Sequence, residues 1–290
     1  MPEDIGPSDP AVFVTHDVVF GDGTAVKRFR SADHDEPRRE WRALKLLARY
    51  APGLAPEPVS ADLDGAPPVV VMSRLPGQPL GGSPLCDKQL DAAAAAMNRL
   101  HHAVPPRELD AVPATAAPLQ AICARIRAMA AARPAGPVSE LQHQARRAGL
   151  SWLDSFESDR QGARAASPAG CGEAAGTAVF AHVDGNLANY LWDGCSVRLV
   201  DFEDSGRGDR SQELADFVEH LSVWDGGGVA AEPFLDRFEL TGPERERIAQ
   251  LRRLFAVFWV MMLLPGGRSQ RRNPPGTADR QASRALALIG

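Results

Sequence analysis

The chain reads as an α+β protein of two unequal lobes, a small N-terminal one with an antiparallel sheet plus a helix and a larger, mainly helical C-terminal one. Three observations predict this. Short β-branched and aromatic runs crowd into the first 73 residues, separated by Gly- and Pro-bearing turns. From Asp87 onward the apolar residues recur largely at helical spacing. Between the two regions Pro76-Gly77 breaks the pattern, so residues 1–75 are expected to form one lobe and 76–290 the other, meeting near Ser73 to Pro79. A chain of 290 residues can bury a sizeable core, and it shows no internal repeat.

Taken in order, Ala11-Val12-Phe13-Val14, Val18-Val19-Phe20 and Val26-Lys27-Arg28-Phe29 are short strand candidates, the last two joined by the turn Gly21-Asp22-Gly23-Thr24. Asp35-Glu36-Pro37 opens a helix, with Pro in its first turn and acids at the positive end of the dipole. That helix runs to about Tyr50 and stops before Pro52-Gly53. Val69-Val70-Val71-Met72 is a buried strand. Asp87 to His102 reads as a helix, and Pro118 to Phe156 as helical with breaks at Pro134 and Pro137. The Gly-, Ala- and Ser-rich stretch from Ser158 to Thr177 is expected to be a long loop. Asp209-Arg210-Ser211-Gln212 has capping-box character, and Leu214, Phe217, Val218 and Leu221 follow at helical spacing. Leu254 to Leu264 is an apolar run too short to cross a bilayer, and reads as a buried helix.

The composition narrows the partners. The net charge is -5 and the pI about 5.8, without the basic face a nucleic-acid binder presents. Arg268, Arg271 and Arg272 lie among Gly, Ser, Asn and Pro, as in a solvated loop. Cys86, Cys123, Cys171 and Cys195 are widely spaced, with neither a zinc pattern nor a disulfide framework. With no signal-like start or membrane-length run, a soluble protein of the reducing cytoplasm is expected, monomeric or homodimeric and free of nucleic-acid and membrane partners.

Chemistry concentrates between His182 and Asp201. Asp184 is followed five residues later by Asn189, and a hairpin then returns the chain to Asp201. Phosphoryl transfer needs one carboxylate to orient or deprotonate the attacking hydroxyl, and two oxygen-bearing side chains to hold Mg²⁺. These three residues supply those groups. A two-residue turn at Asp193-Gly194 would set Asn189 opposite Arg198. Asp201 would then lie three residues beyond, roughly 10 Å along the strand. The chain must bend before Asn189 for both side chains to share a cation, and Gly185-Asn186 is a place for that bend.

This segment resembles the catalytic loop and metal-binding segment of the aminoglycoside phosphotransferase-like small-molecule kinases, which include choline kinase. Members carry His-Gly-Asp, an Asn five residues later, and a further Asp before an aromatic residue. The matching positions here are His182-Val183-Asp184, Asn189 and Asp201-Phe202, with Val183 in the place of the usual Gly. The resemblance implies a two-lobed protein-kinase-like fold, ATP and Mg²⁺ as cofactors, Asp184 as catalytic base, and Asn189 and Asp201 as metal ligands. It also implies that His182 props the loop; by residue type His182 is the second candidate for the base. The stretch Thr15-His16-Asp17, at the expected phosphate-covering loop, is short and lacks glycine.

For the nucleotide, Lys27 ends a strand pattern as a phosphate-binding lysine would, and it is one of three lysines against 29 arginines. Glu40 shares an apolar stripe with Leu44 and Leu47, where an acid needs a partner; Glu36, one turn earlier, is the alternative. By the resemblance, backbone groups around Ser73 to Leu75 read adenine, with Met72 packed behind. The acids from Glu203 to Glu219 border the acceptor cleft in the same reading, whereas His101 and His102 read as helix caps. The expected activity is ATP- and Mg²⁺-dependent phosphorylation of a hydroxyl on a small, cationic, aminoglycoside-like molecule, as in antibiotic resistance. The alternatives are a metabolite kinase for choline or an amino alcohol, and a nucleotide-binding module without catalysis.

Overall fold

Residues 16–30, 35–166, 176–265 and 272–290 are described by the computed structural model. Four antiparallel strands in the order β1-β2-β4-β3 make the N-terminal sheet: β1 Asp17–Phe20, β2 Thr24–Arg28, β3 Pro58–Asp62 and β4 Val69–Ser73. The candidate Ala11–Val14 lies outside the described residues, as do Arg268, Arg271 and Cys171. β3 has no periodic sequence signal, because it is an edge strand that begins on a proline and exposes most of its side chains. Helix α1, Glu36–Tyr50, packs across β3 and β4 and buries Pro37, Glu40, Ala43, Leu44 and Leu47 on that face.

After β4 the short strand β5, Gln78–Pro79, pairs with β7, Tyr190–Trp192, which pairs in turn with β8, Val197–Leu199. β6, Ala178–Ala181, pairs with β9, Gly206–Asp209. Helices supply the rest: α2 Asp87–His101, α3 Pro106–Leu109, α4 Leu119–Ala131, α5 Glu140–Ala166, α6 Arg210–Glu219, a π turn at Ser222–Gly226, α7 Ala231–Leu235, α8 Gly242–Met262 and α9 Thr277–Ile289. The chain is thus α+β, with an antiparallel sheet near its start and helices over most of the remainder. None of the described helices is long and apolar enough to cross a membrane. The run Leu254–Leu264 lies instead at the end of α8 and just beyond it, mostly buried.

Two expectations change. The stretch from Ser158 onward is not loop as far as residue 166: α5 continues through it, since Gln161, Arg164 and the alanines at 163, 165 and 166 favour helix and outweigh Gly162. Residues 167–175 lie outside the described part.

The second change concerns the β7–β8 hairpin. Trp192 pairs with Val197 and Leu191 with Arg198, so the loop spans four residues, Asp193 to Ser196. Asp193 dictates this: its Oδ1 accepts the amide protons of Cys195 (2.9 Å) and Ser196 (2.8 Å), closing a wider turn than Asp-Gly alone would make. The register moves by two residues. Val200 now donates its amide to the carbonyl of Asn189 at 3.0 Å, and Asp201 lies one residue from that bond rather than three.

Candidate active site

β6 delivers the chain to His182, which is fully buried. Its amide donates to Glu213 Oε1 at 2.8 Å; its ring Nε2 lies 2.8 Å from the Val200 carbonyl and Nδ1 3.2 Å from that of Asp184. The ring also meets Phe202 edge-on, with centroids 4.8 Å apart. His182 thereby clips the start of the loop to the segment that leaves β8 and leads into Asp201. Gly185 lies so close to α6 that a Cβ there would stand 2.9 Å from the Cα of Phe217 and 3.0 Å from Cβ of His220. Only glycine permits that approach.

The expected bend is a 3₁₀ turn over Leu187–Asn189, capped by Asn186, whose side chain accepts the amide proton of Ala188. Asp184 is fixed from two sides: Oδ1 accepts the amide of Asn186 at 2.9 Å, and Oδ2 accepts Nδ2 of Asn189 at 2.7 Å. The Asn189 carboxamide nitrogen is therefore committed to Asp184, and its oxygen is the atom left to ligate a cation. With the Asp201 carboxylate it makes a set of hard oxygen donors that suits Mg²⁺.

The strand lysine, the helix glutamate and Asp201 come together. Lys27 Nζ, 5% exposed as a residue, contacts Asp201 Oδ1 and lies 3.1 Å from Glu40 Oε2 and 2.7 Å from Glu203 Oε2. Burial works against its charge, but the three carboxylates outweigh burial and hold its pKa above the ordinary lysine range. Carboxylate oxygens of Glu40, Asp201 and Glu203 lie within 4.8 Å of one another. Asp201 and Glu203 share one ammonium and so titrate as a pair. Burial pushes Asp201 up to about 7, helped by repulsion from Glu203 and Glu40 and opposed by Lys27. Burial also raises Glu203, but His16, 2.9 Å away, and Lys27 reverse this and bring it to about 2.

Glu36, the alternative partner for Lys27, lies instead 3.5 Å from His16. His16 packs on Phe29, its Nδ1 accepts the amide proton of Arg30, and Asp17 begins β1; the described part of Thr15–Asp17 is thus a strand entry. On β4, Met72 is buried and Ser73 half-buried. The amides of Ser73 and Arg74 donate to the carbonyls of Glu57 and Gly23, and Leu75 follows, half-buried.

The acid-rich stretch divides. Asp209 caps α6 through the amide of Ser211. Glu213 accepts from the His182 amide and lies 2.9 Å from Nε2 of His101, so His101 is a buried support rather than a helix cap, while His102 Nδ1 lies 2.7 Å from the Asn98 carbonyl. Glu219, fully buried, is held by Arg252 and Arg284. Asp204 and Asp216 stay close enough to Asp184 to feel its charge: burial, then Glu203 and Asp184, raise Asp204 to about 6, and burial, then Asp184, takes Asp216 well above the carboxylate range. Of the acids grouped with the acceptor cleft, Glu213 takes the structural place that its residue type also allows, whereas the contacts of His16 and Glu203 have no sequence signal. Only Glu213 had a signal, one turn before Phe217 on the apolar face of its helix.

A family model, the phosphotransferase enzyme family, matches residues 5–251. A comparison with curated proteins finds no match. Among solved structures, a choline/ethanolamine kinase family protein from Mesorhizobium loti is similar over 98% of this chain and 88% of its own, at 19% identity and a TM-score of 0.63. A choline kinase from Streptococcus pneumoniae is similar over 99% and 92%, at 15% identity and a TM-score of 0.56. An aminoglycoside phosphotransferase from Streptomyces rimosus, solved with ADP and streptomycin, is similar over 82% and 86%, at 19% identity and a TM-score of 0.52. At these identities the likeness is one of fold.

Proposed function

The chain belongs to the phosphotransferase enzyme family, and from that premise we propose that it transfers the γ-phosphoryl group of ATP, with Mg²⁺, to a hydroxyl of a small cationic molecule. The observation that carries this reading is the pairing of two constellations. Asp184 is held by Asn189 and Asn186 on one loop, and Lys27 is held by Glu40 and Asp201 where that loop's hairpin returns.

Asp184 accepts the proton of the attacking hydroxyl, because its carboxylate is the one whose orientation the loop fixes. His182 is a poorer base: it is fully buried, with both ring nitrogens turned to backbone carbonyls. Lys27, steadied by Glu40, holds the nucleotide phosphates. Backbone around Ser73 to Leu75 reads adenine over Met72, at the junction of lobes 1–75 and 76–290. Asn189 and Asp201 hold Mg²⁺, which supplies charge neutralisation on the transferring phosphoryl group. Asp204, raised only to about 6, is the carboxylate beside Asp184 that attracts a cationic acceptor to the cleft, while Asp216, raised well above the carboxylate range, accepts the Gly185 amide and holds the loop. ATP as donor fits a cytoplasmic enzyme.

Two acceptor classes fit. The Streptomyces rimosus structure with streptomycin supports an aminoglycoside-like alcohol. The likeness to a choline/ethanolamine kinase family protein over 98% of this chain supports an amino alcohol.

The test is coupled ADP release with MgATP over aminoglycosides, other cationic antibiotics, choline and amino alcohols. Acceptor-dependent ADP should appear for one class. Asp184→Asn should bind MgATP as wild type does and lose at least about a hundredfold in kcat. Normal turnover in that variant would remove Asp184 from its role, and ATP binding without ADP from any acceptor would favour a non-catalytic module.

A further inference from the structure

α1 carries Glu40, yet its packing is against β3 and β4 of the sheet. Asp201 belongs to a different part of the chain. Something must set the distance between the helix and that segment, or the Lys27 bridge between them would be free to lengthen. His16, between Glu36 and Glu203, is one such link, and Arg39, next to Glu40, ties the helix to the segment directly. Its Nη1 donates to the carbonyl of Ala114 at 2.7 Å and to that of Ser205 at 3.3 Å, and its Nε is buried.

Both acceptors belong to a stiff unit. Ser205 closes a tight turn after Asp201: its amide and hydroxyl both donate to the Phe202 carbonyl, at 3.1 and 2.6 Å, and Phe202 is fully buried. The Pro113–Ala116 stretch is laced to the same turn. Arg207 donates its amide to Pro113, Thr115 to Arg207, and Ala116 to Asp204. Gly206 lets these backbones touch, since a Cβ there would meet the Pro113 carbonyl at 2.6 Å. Both bonds leave Nη1, whose N–H directions the planar guanidinium fixes, so the two carbonyls are held at one set position relative to α1, which a flexible ammonium does not impose.

We infer that Arg39 is a positioning residue of the phosphotransferase site, fixing α1 against the Phe202–Ser205 turn so that Glu40, Lys27 and Asp201 keep their mutual distances. It touches no reacting atom and acts through Glu40. The inference rests on the phosphotransferase reading for its kinetic consequence, but the tie itself exists in the nucleotide-free protein.

Two measurements test it. In turnover with MgATP and the acceptor found above, Arg39→Ala should lower kcat roughly tenfold or more with the acceptor KM unchanged, as small misplacements at a phosphoryl-transfer site do. Arg39→Lys, which keeps the charge and N–H donors but not the planar geometry, should recover part of the loss. In a Glu40→Gln background, Arg39→Ala should add little, because both changes break one device. Unchanged kcat, or losses that simply multiply, would overturn the assignment. Hydrogen exchange of the nucleotide-free protein needs no turnover: amides of α1 should exchange faster in Arg39→Ala and near the wild-type rate in Arg39→Lys. Equal exchange in wild type and Arg39→Ala also overturns it. Absence of turnover in the wild type would count against the phosphotransferase reading alone, leaving exchange to decide on Arg39.

Discussion

Val183 stands with φ at 64°, in the left-handed region where a β-branched side chain is crowded against its own backbone. The resemblance puts Gly at this position, and the dihedral gives the reason. Asp201, at φ 69°, is also left-handed but of a type that tolerates it. Strain of this sort is about 1–3 kcal/mol per residue, more than the entropy that glycine adds to the unfolded chain. Val183→Gly should therefore raise Tm, by roughly 2 °C for a chain of this size, in a thermal melt without ligand. A lower Tm would mean that the half-buried Val183 side chain contributes more packing than its backbone costs. Asn189 shows the opposite case: it sits where its side chain satisfies Asp184, and no strain is recorded there.

Among elements, α6 does the most to hold the His182–Asn189 loop in place. Glu213 near its start accepts the His182 amide, Gly185 rests on its last turn, and Glu219 at its end fixes it to α8 and α9. Arg252 Nε lies 2.8 Å and Arg284 Nε 2.6 Å from the fully buried carboxylate of Glu219. Removing one partner from a buried ion pair leaves the others desolvated without a countercharge, at a cost of about 3–5 kcal/mol. Glu219→Ala should lower Tm by roughly 5–10 °C, read by calorimetry. If Tm barely moves, water reaches the two guanidiniums and the cluster is not a structural tie. The β7–β8 hairpin is fixed differently, by a single side chain: amide bonds from Ser196 and Cys195 hold Asp193 down to about 2.

For the whole molecule the main electrostatic feature is a surplus of carboxylates around Asp184 and Lys27. Asp204 is raised from 3.8 to about 6 and Asp201 to about 7, and Asp216 is also raised, by burial first and then by Asp184. A carboxyl that titrates higher when folded binds its proton more tightly in the folded state. Its contribution is present below the unfolded value and is lost as pH rises through the folded one. Stability of the ligand-free protein should therefore fall between about pH 4 and pH 7 on account of these groups, although His220, lowered by burial, works the other way near its ordinary value. Asp204→Asn isolates one contribution. Its Tm should exceed that of wild type at pH 7.5 and approach it at pH 4.5. Equal differences at both pH values would show that Asp204 is not charged at a cost in the fold.

The α+β class, the α1 helix, the β4 strand and the order Asp184, Asn189, Asp201 are all legible in the linear chain. These rest on local physics: apolar periodicity, Pro and Gly punctuation, and residue types whose chemistry is narrow. It also placed Glu40 on an apolar stripe, and a buried acid demands a cation; the structure sets Lys27 beside it. Other features arise from contacts between distant parts of the chain. The hairpin register turned on two amide bonds to Asp193, which no dipeptide rule contains. β3 formed because β4 offered it an edge, although its own residues alternate weakly. His16, Glu203, Glu213 and Arg39 gained their roles from partners more than 30 residues away in most cases, across distances that a linear pattern does not encode. Periodicity reports which face of an element is buried. What a polar group on that face meets depends on how the elements pack, and that is where the site was assembled.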